Sequence, residues 1–195
     1  ANSGTSSWFA ANIGNYADKS LISPWLKVGM GPTTLSFSLF YDLEGTPAQY
    51  WDGAVLELRT LDGDWVDIGL DSSVPYDGQL FGNSSLEYRE AWSGTQTSWR
   101  DAVVDLGSTY ADQTVQFRFR VAADQGSANV GFWVDDIQMT NVTWLESLAC
   151  DTDTCSSCFG TLSEAQAQVQ SQHPNWPDTN TILTFITILN NVCEP

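Results

Sequence analysis

Two acids stand side by side in the stretch GFWVDDIQM, Gly131 to Met139. The stretch reads as a strand, because Phe132, Trp133, Val134, Ile137 and Met139 favour a pleated, half-buried surface. Neighbours in a strand point to opposite faces, so one of Asp135 and Asp136 is expected to point at the core. An isolated buried carboxylate costs several kcal/mol unless it is paired or binds a metal. That acid pair is therefore the first candidate for chemistry.

The cysteines form a second constellation. Cys150, Cys155 and Cys158 are spaced C-x4-C-x2-C, and Cys193 follows later. The spacing matches a plant-type two-iron cluster. It equally suits two disulfides in a secreted chain, and less well a four-cysteine zinc site. Disulfides are the expected use, because an iron–sulfur loop of this type needs a different domain before it. Four cysteines allow three pairings, and the expected one joins Cys155 or Cys158 to Cys193.

Other catalytic patterns are thin. His173 is the only histidine and precedes Pro174 in what reads as a surface turn. No H-E-x-x-H or G-x-S-x-G stretch occurs, which argues against a catalytic triad or a histidine-rich zinc site. A glycosidase carboxylate pair has no recognisable strand motif. The chain is expected not to be an enzyme.

Composition narrows the partners. The 195 residues include 24 acids and 7 bases, a net charge of −17. Such a chain repels nucleic acid and anionic membranes, and suits calcium or a neutral partner. The bases are scattered, and Arg118 and Arg120 are expected to pair with acids across a sheet. No apolar run approaches the roughly 20 residues that span a bilayer.

The elements that must position these residues are strands. From Trp8 to Thr143, short alternating runs are separated by Gly, Pro, Asn and Asp. Leu35, Phe37, Leu39 and Tyr41 alternate with Ser36 and Ser38. Val115, Phe117, Phe119 and Val121 alternate with Gln116, Arg118 and Arg120. LDGDW, Leu61 to Trp65, reads as a hairpin turn. This texture predicts an all-β, antiparallel β-sandwich of jelly-roll type over residues 1–147. Residues 148–195 are expected to form a small disulfide-stapled helical cap. In it, Ser163 and Gln166 fit a capping box, and Ile182, Leu183, Phe185, Ile186, Ile188 and Leu189 fall on one stripe.

The ordered stretches SLISPWLKVG, TLSFSLFYDLEG, YWDGAVLELRTLDGDWVDIG, AWSGTQTSWRDAVVDLGSTYADQTVQFRFRVAAD and VGFWVDDIQM carry a resemblance. Together they resemble the MAM-like jelly-roll modules, most closely the accessory β-sandwich of secreted immune-inhibitor-A-type (M6) metallopeptidases. The match covers about residues 8–142. The resemblance implies a structural Ca²⁺ held by Glu44, Asp52, Asp135 and Asp136, with Asp42 as a further candidate. Calcium takes about six to eight oxygens, which agrees with such a set. One departure is the absence of the F-E-x-G-like strand that usually precedes the first Trp; an open sheet edge there would be a template for strand addition.

The expected function is a secreted, non-catalytic, calcium-stabilised accessory module that contacts protein or glycan at a cell surface. The alternative is a structural subunit whose copies assemble by strand addition. Trp25, Trp51, Trp92 and Trp99 lie in or near expected loops, where a flat aromatic face can take a sugar ring. Trp65 and Trp133 sit in strand patterns and are expected in the core.

Overall fold

The computed structural model describes residues 1–82 and 84–144. The four cysteines, His173 and the expected helical cap lie outside the described residues. So does Asn83.

Strands follow one another with short connections. They are β1 (Trp8–Ala11), β2 (Ala17–Ile22), β3 (Leu26–Val28), β4 (Thr33–Asp42), β5 (Gly45–Thr46) and β6 (Gln49–Tyr50). Next come β7 (Gly53–Thr60), β8 (Val66–Asp67), a 3₁₀ turn (Gly69–Asp71), β9 (Gly78–Gln79) and β10 (Glu90–Ala91). The last are β11 (Thr95–Gly107), β12 (Thr114–Ala123), β13 (Gly131–Met139) and β14 (Val142–Trp144). Among the described residues, no helix is long and apolar enough to cross a membrane.

Two large antiparallel sheets and two two-stranded ribbons, β5-β6 and β9-β10, result, and Ala1–Trp144 forms one compact unit. The first runs β1-β13-β4-β11. The second runs β14-β3-β12-β7-β8, with β2 also pairing β12. The alternating residues meet between the sheets: Leu35, Phe37, Leu39 and Tyr41 from β4 join Leu56, Leu58, Phe119 and Phe132 in one buried cluster. Trp92 is fully buried in that cluster, and its indole Nε1 donates to the Val74 carbonyl at 3.1 Å. It is a core residue, contrary to its expected loop position. Trp133 lies on the outer face of the first sheet, where it stacks on Phe9 at 4.4 Å and meets the Phe40 edge at 5.1 Å.

A second cluster explains a strand that alternation alone misreads. Val55 faces away from the main core but is buried against Leu80, Leu86, Ala91 and Ala122. The chain from the 3₁₀ turn to β10 folds over this outer face of β7. Covering it also buries Glu57, which is 3% exposed. Arg89 Nη1 reaches Glu57 Oε1 at 2.5 Å, and Arg118 Nε reaches Glu57 Oε2 at 2.6 Å. Arg118 then lies over the Trp65 ring, 4.2 Å from its centroid. Arg120 pairs with Asp18 at 2.6 Å, so both cross-strand arginines find acids.

The opening acid pair is resolved by a bulge. The register of β13 against β4 slips between Asp135 and Gln138, and Asp136 adopts φ +50. The extra residue shifts side-chain parity. Phe132 and Val134 face the core before it, and Ile137 and Met139 pack on the core after it. Neither acid has to enter the core.

Burial alone would raise the Glu57 carboxyl, but the hydrogen bonds and charges of Arg89 and Arg118 outweigh it and hold it below the usual carboxylate value. Removing one member of a buried charge cluster leaves the others uncompensated. Glu57→Gln is expected to destabilise the sandwich by about 3 kcal/mol, measured by urea unfolding at neutral pH. A loss below the error of the method would show the cluster to be neutral.

Candidate metal centre

Four chain segments meet at one end of the sandwich. Glu44 ends the run out of β4. The β5–β6 hairpin then doubles back, and the Glu44 carbonyl accepts from both Trp51 N and Asp52 N at 3.1 Å. This return sets Asp52 beside Glu44. Strand β12 pairs β7 with Ala122 opposite Gly53, so the chain leaving β12 passes the same point. Asp124 N donates to Asp52 Oδ1 at 2.8 Å. Asn12 follows β1, is anchored by its N–H to the Val130 carbonyl, and donates from Nδ2 to Asp52 Oδ2 at 2.7 Å.

The result is a knot of acids. Carboxylate oxygens of Glu44, Asp52 and Asp124 all lie within 4.8 Å of one another. Asp52 is 1% exposed and forms the floor, while Glu44 and Asp124 are half-buried above it. None of the ion pairs among the described residues involves these three acids. Burial raises the Glu44 carboxyl, and the charges of Asp52 and Asp124 raise it further. Burial also raises Asp52, against the hydrogen bonds from Asp124 N and Asn12.

Two buried oxygens in the knot have no hydrogen-bond partner: Asn12 Oδ1 and Asp124 Oδ1. Each such orphan costs roughly 1–3 kcal/mol, and native structures rarely keep one without a reason. A cation among three carboxylates and an amide oxygen would satisfy both and cancel the repulsion. The donors are all oxygen, which suits a hard cation rather than zinc or an iron cluster. The residues present therefore fit the metal that the resemblance implies.

The expected ligands are distributed unevenly. Glu44 and Asp52 are in the knot. Asp135 and Asp136 are on the outer face of the first sheet, where they hold the N-terminal segment. Asp135 Oδ2 accepts from Asn2 N at 2.7 Å, and Asp136 accepts from the Asn2 side chain at 2.9 Å and from the Ser3 hydroxyl. Asp42 Oδ1 accepts from Thr95 Oγ1 at 2.8 Å and Asn129 Nδ2 at 2.9 Å. Asp135, Asp136 and Asp42 are thus spent on hydrogen bonds outside the cluster. Reading the sequence missed Asn12 and Asp124. Asp124 opens the DQGSAN loop, and only the β12–β7 register shows what it faces.

Two outcomes follow for the metal-free protein. Glu44 and Asp52 bind protons more tightly folded than unfolded, so stability falls as pH rises from the ordinary carboxylate range through their raised values. Glu57 works oppositely: its contribution is lost as pH falls through its lowered value. Melting of chelated protein should therefore peak in mildly acidic buffer, and a flat profile towards neutrality would contradict the repulsion. In the same chelated state, Asp124→Asn should melt at or above the unaltered chain, because it removes one charge from the knot. No protein-family model matches the chain, and the search of curated proteins returned no match either.

Proposed function

We propose that this chain is a calcium-stabilised, non-catalytic module of MAM-like jelly-roll type, secreted to serve as an accessory domain that contacts protein or glycan at a cell surface. One observation carries the reading: carboxylate oxygens of Glu44, Asp52 and Asp124 lie within 4.8 Å of one another, while Asp124 Oδ1 and the Oδ1 of Asn12, whose Nδ2 binds Asp52, are buried without a hydrogen-bond partner. An ion there would tie the ends of β1, β4, β7 and β12 together across both sheets. That is a structural use of a metal, and it agrees with the resemblance. The acidic balance of the chain favours calcium and neutral partners over nucleic acid. The order of the resembling stretches follows the strands, from β2 through β13.

Self-assembly by strand addition is the second reading. Among the described residues, β1 is an end strand of the first sheet. The edge is only four residues long, and Lys19 Nζ already takes the Ala11 carbonyl at 2.7 Å. Short, lysine-guarded edges resist pairing.

The test is a thermal melt of chelated protein with calcium, magnesium or sodium chloride added. Calcium should raise the midpoint in a concentration-dependent way, by about 2.7 kcal/mol of stability at a hundred times Kd. Asp52→Ala and Asn12→Ala should lose the response, whereas Asp135→Asn should keep it. No response, or an equal one from sodium chloride, would overturn the reading.

A further inference from the structure

We propose that the outer face of the first sheet docks a basic protein segment, whose arginine side chains lie against a row of aromatic rings while their charges meet acids on either side. The inference rests on the module's contact with protein, proposed above, and names the chemistry of that partner. It does not depend on the ion.

The row crosses all four strands. Phe9 on β1 stands opposite Trp133 on β13, and Trp133 stands opposite Phe40 on β4. Trp99 on β11 completes it. Successive ring centroids are 4.4 Å, 5.1 Å and 5.9 Å apart. None of the four rings belongs to either core cluster. Phe9 is 44% exposed, and Trp133, Phe40 and Trp99 are half-buried. One face of Phe9 stacks on Trp133, so solvent meets the side turned away from it. A contiguous strip of large rings outside the core marks a contact surface, unlike apolar residues scattered singly.

Charge selects the occupant. The four strands carry five acids, Asp42, Asp101, Asp105, Asp135 and Asp136, and one base, Arg100. Arg100 stands opposite the core residue Leu39, and cross-strand partners share a face, so this base is on the inner side. Asp42 follows Phe40 by two residues, as Asp135 follows Trp133 and Asp101 follows Trp99. Residues two apart share a face. Strand β4 runs against β11 and β13, so Asp42 lies on one side of the row and Asp101 and Asp135 on the other. None of the ion pairs among the described residues uses these acids. Asn2 and Ser3 hold Asp135 and Asp136, Ser38 Oγ donates to Asp101 at 2.6 Å, and Thr95 and Asn129 hold Asp42. All these donors are neutral. They fix the carboxylates in place and leave the charge uncompensated.

Arginine suits both parts of the surface. Its guanidinium is attracted to aromatic faces and pairs with carboxylates through a planar fork. A second copy docked face to face would set acid against acid. A neutral glycan would leave the charge unused.

The full chain is titrated with a labelled oligo-arginine peptide, and affinity is read by anisotropy with and without calcium. Phe9→Ala combined with Trp99→Ala keeps the net charge, yet should weaken binding about tenfold, equivalent to roughly 1.4 kcal/mol. Asp42→Asn with Asp101→Asn should weaken it similarly. Asp62→Asn with Asp64→Asn removes the same charge from the β7–β8 connection and should have little effect. Equal losses from the two charge variants, or no loss from the aromatic one, would reduce the binding to diffuse attraction and overturn the proposal. Should the aromatic variant fail to fold, the unaltered chain still decides: oligo-arginine should bind more tightly than oligo-lysine of equal charge, because only arginine stacks, and equal affinities overturn it. Dimerisation, or retention on immobilised mannan, that is lost in the aromatic variant gives the face to a second copy or to a glycan and also overturns it. The calcium melting shift is read on the same samples. Its absence overturns the ion and leaves this surface standing, whereas a normal shift beside unaltered peptide affinity overturns the surface alone.

Discussion

The pairing of β12 with β7 is the constraint on which most of the molecule depends. β12 also pairs β2 and β3, so it organises the larger sheet. Its inward residues Val115, Phe117, Phe119 and Val121 fill the core against β4. Its outward Arg118 stands opposite Glu57, and Arg120 reaches Asp18 on β2. Continue the same register past Ala122 and Gly53, and Asp124 arrives at Trp51 and Asp52. A slip of one residue would turn the apolar side outward, part Arg118 from Glu57 and disperse the acid knot together. Core packing and site geometry are thus fixed by one set of backbone hydrogen bonds.

Within that frame the chain handles buried acids in two contrasting ways. Glu57 is compensated from within, by two guanidinium groups held in place by the strand pairing and by the segment folded over β7. Glu44, Asp52 and Asp124 gather without any such partner. Desolvation and mutual repulsion both act on them, and the hydrogen bonds to Asp52 from Asn12 and Asp124 N oppose this only in part. The first arrangement is complete as it stands. The second leaves a cluster of oxygens that a cation could hold together.

Strands were legible because alternation is a local property. β4 and β12 could be placed from their own residues, since every second side chain is apolar. Glu44 and Asp52 came through the resemblance, and both stand in the knot. Asn12 and Asp124 were hidden because their role comes from register between distant segments, which no window of sequence contains. Asp135 and Asp136 misled for the opposite reason. Strict alternation demanded an inward acid, and the bulge at φ +50 removed that demand. Trp92 looked like a loop residue because it directly follows the two-residue strand β10 and makes only an isolated bridge to Ala54, yet its ring closes the core.

The distribution of the bases has a consequence for how ions reach the molecule. Four of the seven bases, Lys27, Arg89, Arg118 and Arg120, are in ion pairs. A fifth, Arg59, is held between the rings of Trp25 and Trp65. Little positive charge is left to interrupt the field of the 18 acids within residues 1–144. The sandwich therefore behaves as a small polyanion with a condensed cloud of cations around it. Divalent ions are enriched in that cloud, because their attraction to it scales with charge. Dilute salt thickens the cloud and draws divalent cations towards the surface; strong salt thins it to a few ångströms. On the calcium reading proposed above, strong salt would slow capture of an ion at the knot, and salinity would set how full such a centre stays.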